Sequence, residues 1–197
     1  MAKMADKFNF VRSVVGAKDR HESFQCVTGR LNDNVPPGGW PEIGSIVSTL
    51  EGAGAAVPGY VNLSPKMQHT PYNQGRTSFL GVAHAPFMPM GSVKDDMTLN
   101  GITLERLADR RGLLNAFDGF RRGADASGAM AGVDAFTEQA FDILTSSRLL
   151  KALDLSDEDP KLRERYGKGT DKIQGDAAPR LNEQFLLARR LVEAGVR

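Results

Sequence analysis

The stretch Phe8-Asn9-Phe10-Val11-Arg12-Ser13-Val14-Val15, a polar run to Gln25, and then Cys26-Val27-Thr28-Gly29-Arg30 decide how this chain is read. Aromatic and β-branched residues from Phe8 to Val15 read as a buried strand. The polar run reads as a loop, and residues 24–28 as a short helix closed by Gly29. Where a strand ends and a helix begins, backbone N–H groups converge and the helix dipole favours negative charge, so such a loop suits anions.

The loop carries Lys18, Asp19, Arg20, His21, Glu22 and Ser23, the densest run of chemically able side chains in the sequence. His21 is the foremost candidate for catalysis, since imidazole serves both metal and proton chemistry near neutral pH. Asp19 could hold a metal. Ser23 could act as a nucleophile or simply cap the following helix, as serine does readily. Lys18, Arg20 and Arg30 are candidate anion ligands, arginine offering a planar bidentate fork; the alternative is solvated surface charge.

Several segments, in order, carry a resemblance. They are Ala5-Asp6-Lys7-Phe8 with Val11-Arg12-Ser13, Thr28-Gly29-Arg30, and Gly44-Ser45-Ile46-Val47. Phe79-Leu80-Gly81, Ala85-Pro86-Phe87, Arg110-Arg111 with Leu113-Leu114, Arg165-Tyr166-Gly167 and the run Leu187 to Val196 follow. Together they resemble the bacterial domain-of-unknown-function family 1501, a sulfatase-like branch of the alkaline-phosphatase-like superfamily. Sulfatases carry a nucleophile-bearing loop before a Leu-Thr-Gly-Arg helix end, matched here by Val27-Thr28-Gly29-Arg30. Counting back without gaps from Thr28 to their nucleophile position lands on Asp19, but the usual Cys/Ser-x-Pro-x-Arg pattern is replaced by Asp19-Arg20-His21-Glu22-Ser23. The resemblance implies a parent that hydrolyses sulfate or phosphate esters with a divalent metal, and relatives that are typically exported. Most metal ligands of those relatives fall outside the equivalent of this chain. The expectation is therefore an internal fragment, inactive alone, the alternative being a non-catalytic binding or structural domain on the same scaffold.

The chain has 197 residues, with 25 basic and 24 acidic side chains and a formal charge of +1. No basic block stands out, which argues against nucleic acid or an anionic membrane as partner. No apolar run is long enough to span a bilayer, and Met1 to Lys7 lacks the features of a signal peptide. Cys26 is the sole cysteine; its apolar setting suggests a buried thiol. His69 and His84 lack companions at metal-ligand spacing.

The fold class expected is α/β: a partial alkaline-phosphatase-like core with a βαβ unit in the first third and a helical second half. The division is residues 1–64 as the βαβ-like core, 65–102 as a long loop and 103–197 as mainly helical, within a single incomplete domain. Pro41 should open a helix with Ile43, Ile46, Val47 and Leu50 at helical spacing, and Tyr60–Leu63 should form a second buried strand. Thr103 should cap a helix reaching Gly123, and Asp134 should cap one running to Leu150 with Phe136, Ala140, Ile143 and Leu144 inward. Ser156–Tyr166 reads as a polar helix and Gly167–Pro179 as a loop. The last helix, near Leu181–Ala194, should turn Phe185, Leu187 and Leu191 inward. An unfinished sheet would leave apolar edges, so self-association is expected.

Overall fold

The computed structural model describes residues 2–18, 23–52, 57–73, 77–89, 101–122, 137–138 and 140–197. A 3₁₀ turn at Ala2–Lys7 precedes α1 (Phe24–Thr28), α2 (Ile43–Glu51), α3 (Leu104–Arg122), α4 (Ser147–Leu153) and α5 (Pro160–Tyr166). Strands β1 (Thr170–Ile173) and β2 (Pro179–Arg180) and helix α6 (Glu183–Glu193) follow, and short 3₁₀ turns lie at Thr70–Tyr72 and Val82–His84. Among the described residues no helix is long and apolar enough to cross a membrane.

The core lies where α4 meets α6. Leu149, Ala152 and Leu153 pack with Leu191, Val57 and Val196, while Val61, Leu63 and Phe87 line the cluster's edge. The helix expected to run through to Leu150 is broken at Ser146, whose extended backbone and Oγ, accepting the Leu149 N–H at 3.3 Å, start α4 afresh. Arg190 of α6 ties this end of the molecule together. Its Nε donates to the Ala152 carbonyl at 3.0 Å, a second nitrogen reaches the Lys151 carbonyl, and a third pairs with Glu158. Carbonyls left open at the end of α4 thus find a cation. Helix α6 closes as expected at Gly195 (φ 103°), with N–H bonds from Gly195 to the Val192 carbonyl and from Val196 to that of Leu191. That pairing is a Schellman motif, and it turns Val196 back into the core beside Leu191. Phe185, expected inward, is 71% exposed; Leu186, one position on, is buried instead.

In coarse terms the class is α/β: helices with, among the described residues, one small sheet. That sheet is an antiparallel hairpin of β1 and β2, in the segment read from sequence as a loop. Gly169 permits it, since a Cβ there would collide with the Arg180 carbonyl. The βαβ unit expected over the first third is not formed among the described residues. Phe8 to Val15 forms no regular element and has no ladder partner there, and Phe10, Val11, Val14 and Val15 are all exposed. Strand propensity is satisfied only when neighbours supply hydrogen bonds and cover. Tyr60–Leu63 fares better: Val61 and Phe87 form an isolated parallel bridge, with Asn62 N–H to Phe87 O and Phe87 N–H to Tyr60 O both at 2.9 Å.

Helix α2 has the expected period but turns a polar face inward. Glu42, Ser45 and Ser48 are buried, whereas Ile43 is 68% and Leu50 79% exposed. The cause is Gly44, against which the Tyr60 ring lies so closely that a Cβ would overlap it. From there the Tyr60 hydroxyl donates to Glu42 Oε2 at 2.6 Å. One turn along, Ser48 Oγ and His84 Nδ1 are hydrogen-bonded at 3.2 Å. Helices α3 and α5 begin on side-chain caps, Thr103 Oγ1 accepting from Arg106 N–H and Asp159 Oδ1 from Lys161 N–H. Asp134 and Phe136 lie outside the described residues.

Two outcomes follow. Gly44→Ala should destabilise the fold by about 1–3 kcal/mol through overpacking against Tyr60, measured by denaturant unfolding; a variant as stable as the parent would show that the ring can retreat freely. Burial, and then the hydrogen bond and charge of Glu42, push the Tyr60 phenol far above its ordinary value of 10.0. The folded chain therefore holds this proton where the unfolded chain releases it. Its contribution to stability is intact below about pH 10 and falls as pH rises beyond that. Unfolding profiles at alkaline pH should steepen for the parent and less so for Tyr60→Phe.

Candidate functional site

The candidate loop is gripped at both flanks by short-range bonds. Gly16 (φ 85°) turns the chain, and the Gln25 amide spans the turn, accepting the Lys18 N–H at 3.1 Å and donating to the Gly16 carbonyl at 2.9 Å. Lys18 Nζ then pairs with Asp33 Oδ2 at 3.0 Å. This candidate anion ligand is thus partly committed, in an exposed pair worth roughly 0–1 kcal/mol. Asp19, Arg20 and His21 lie outside the described residues.

Ser23 occupies the N-cap of α1, but its hydroxyl makes no cap. It donates to the Tyr72 carbonyl at 3.2 Å, while the Ser23 N–H donates to the Pro71 carbonyl at 3.2 Å. Both groups stitch the loop to the 3₁₀ turn Thr70–Tyr72. The His69 ring meets the Tyr72 ring edge-on at 4.6 Å, and the His69 N–H donates to Asp176 O in the hairpin turn at 2.7 Å. The structure thus brings Ser23 to the turn that holds His69, a neighbourhood invisible in the sequence. His84 goes elsewhere, to Ser48.

Beyond Ser23 the motif Val27-Thr28-Gly29-Arg30 is a helix ending. Gly29 (φ 68°) closes α1, with its N–H on the Gln25 carbonyl at 3.0 Å. Thr28 Oγ1 donates to the Phe24 carbonyl at 2.8 Å and accepts the Arg30 N–H at 3.1 Å, which fixes the backbone of Arg30. The Arg30 guanidinium lies over the Trp40 ring, 4.7 Å from its centroid. A guanidinium held against an aromatic face can still donate its N–H groups to an acceptor. Cys26, expected to be buried, is exposed, because α1 is a single turn with nothing buried along it.

Trp40 begins a second group of residues, whose aromatic members carried no functional expectation from the sequence. Its ring meets Phe79 edge-on at 6.0 Å. Phe79 is held by the Pro36-Pro37-Gly38-Gly39 turn: its N–H donates to Gly39 O at 3.3 Å, and a Cβ on Gly38 would crowd it. Arg30, Trp40, Pro41, Ile46, Phe79 and Leu80 surround a groove of about 320 Å³. The signal available in sequence was the sole tryptophan standing next to a Pro-Pro-Gly-Gly turn.

The metal implied by the resemblance does not fit the described residues. Among them no group of three or more His, Cys, Asp or Glu side chains gathers where an ion could be held.

No curated protein and no solved structure matches the chain. A family model described as protein of unknown function DUF1501 matches residues 1–197. On that match, which covers every segment discussed above, the chain belongs to the DUF1501 family.

Proposed function

We propose that this chain is part of a sulfatase-like, alkaline-phosphatase-like scaffold that recognises a sulfate or phosphate ester and does not turn it over alone. The parent activity implied by the resemblance is metal-assisted hydrolysis of such esters. The observation that carries the reading is Arg30, its backbone N–H bonded to Thr28 Oγ1 and its guanidinium held over the Trp40 ring. A guanidinium held in this way is suited to bidentate contact with a tetrahedral oxyanion.

The arrangement favours binding over displacement. Displacement at sulfur or phosphorus needs a positioned nucleophile and strong positive charge on the transferring group. Ser23 has its hydroxyl on a backbone carbonyl, and Lys18 is paired with a carboxylate. Asp19 and His21 remain the candidates for any chemistry, with Arg20 beside them as an anion ligand.

Chromogenic sulfate and phosphate esters, assayed with zinc, calcium, magnesium or manganese, should give no turnover by this chain. Inorganic sulfate should bind weakly, and Arg30→Gln should weaken that binding about tenfold or more, the loss expected for a charge-assisted hydrogen bond. Turnover abolished by His21→Ala or Asp19→Ala would overturn the inactive reading, and failure of sulfate and phosphate to bind would overturn the recognition reading.

The reading of the chain as one part of a larger sheet rests on the exposed segment Phe8–Val15, whose aromatic and β-branched residues favour a strand. Such a segment is a template for edge pairing. Light scattering after size exclusion should show concentration-dependent association of the isolated chain, reduced by Phe10→Asp or Val11→Lys. A monomer at every concentration would count against it.

A further inference from the structure

We infer that the groove beside Arg30 binds an anion carried on a flat apolar body, in the manner of an aromatic sulfonate or phosphate. This rests on the recognition reading above and adds the part of the ligand that the anion site does not explain. The groove's size, about 320 Å³, is at the lower end of the roughly 300–1,000 Å³ typical of small-molecule clefts. Its walls are Trp40, Pro41, Ile46, Phe79 and Leu80, and among the described residues Arg30 is the charged side chain that lines it. A few polar groups on an apolar lining is the usual composition of a ligand cleft, the polar groups fixing orientation and the walls supplying affinity.

Two aromatic rings here are held in place yet left open. Phe79 is 50% exposed although its backbone is bonded to Gly39 and lies so near Gly38 that a Cβ there would crowd it. Trp40 is half-buried, with Arg30 on one face and the Phe79 edge nearby. Rings fixed by a turn lose little further freedom when a flat partner lies against them, so their contact converts efficiently into affinity. Among the described residues no carboxylate pairs with the Arg30 guanidinium, whereas Lys18 is paired with Asp33. Charge complementarity therefore asks for an anion at the Arg30 end and an apolar face along the rings. A bare sulfate would satisfy the first and leave the rings wet; an uncharged aromatic would do the reverse.

The sole tryptophan makes the test direct, since the indole N–H of Trp40 gives one resonance in a nitrogen–proton correlation spectrum of the full chain. Naphthalene-1-sulfonate, sodium sulfate and 1-naphthalenemethanol would each be titrated against it. The expected result is saturable movement with the sulfonate, at an affinity at least about tenfold above either of the others, given that each lacks one half of the contact. Arg30→Gln should cost the sulfonate about tenfold or more and leave the neutral alcohol unchanged, with Arg30→Lys intermediate. Arg30 is exposed, so these variants are expected to fold, and the remaining spectrum reports whether they do. A sulfonate no tighter than inorganic sulfate would overturn this inference and leave anion recognition standing. Equal binding of sulfonate and alcohol, insensitive to Arg30→Gln, would overturn both. An indole resonance that no probe moves would overturn the groove as a site.

Discussion

The approach of the Tyr60 ring to Gly44 is the contact on which the first half of the molecule depends. Because residue 44 has no side chain, α2 can lie against the segment that enters the core at Val57 and leaves it at Leu63. That closeness buries Glu42, Ser45 and Ser48, and each then poses a question of hydrogen bonding. Glu42 is answered by Tyr60 and Ser48 by His84, while Ser45 Oγ has no partner among the described residues. The same segment carries the parallel bridge to Phe87, so the helix, the bridge and the core edge are positioned together. Trp40 and Pro41 lead straight into α2, and the groove at Arg30 inherits its floor from that placement.

A helix with its small polar residues inside and Ile43 and Leu50 outside inverts the usual rule of burial. Large side chains would hold α2 away from Tyr60; serine and glycine do not. The cost is that buried hydroxyls must find acceptors, and His84 gains a structural task that its isolation in the sequence did not suggest. A lone histidine is often a satisfied neighbour of this kind rather than a ligand.

Local features were the most legible. Gly29, Gly167 and Gly195 end helices where the sequence placed them, and Thr103 caps as expected, because these signals are carried by one or two residues. The α/β class was legible in its coarse form, and the family was legible from the order of its segments. What failed required knowledge of partners. Phe8–Val15 has strand chemistry, but a strand exists only beside another, and none stands there among the described residues. Facing also failed, at α2 and at Phe185, because period fixes spacing and leaves the choice of face to whatever packs against it. Of the candidate site, Lys18, Ser23 and Arg30 are placed by the structure, each through a bond to a residue distant in sequence or around a turn. The aromatic wall at Trp40 and Phe79 was missed because its two rings are separated by the whole of α2 and the Tyr60 segment.

The bonds that close the core reach far along the chain. Gln184 donates its side-chain amide to the Leu63 carbonyl, and Arg197 binds the Glu51 carbonyl at 3.0 Å together with its carboxylate. Val57 is covered by Val196 and Leu191. During synthesis, then, the Val57–Leu63 segment emerges long before the helix that shelters it. It must wait in water until α6 has left the ribosome, since closing so long a loop is rewarded only when both ends are present. The early chain is accordingly the stage most exposed to wrong pairing, and holding factors that shield nascent apolar strands would matter most in that interval.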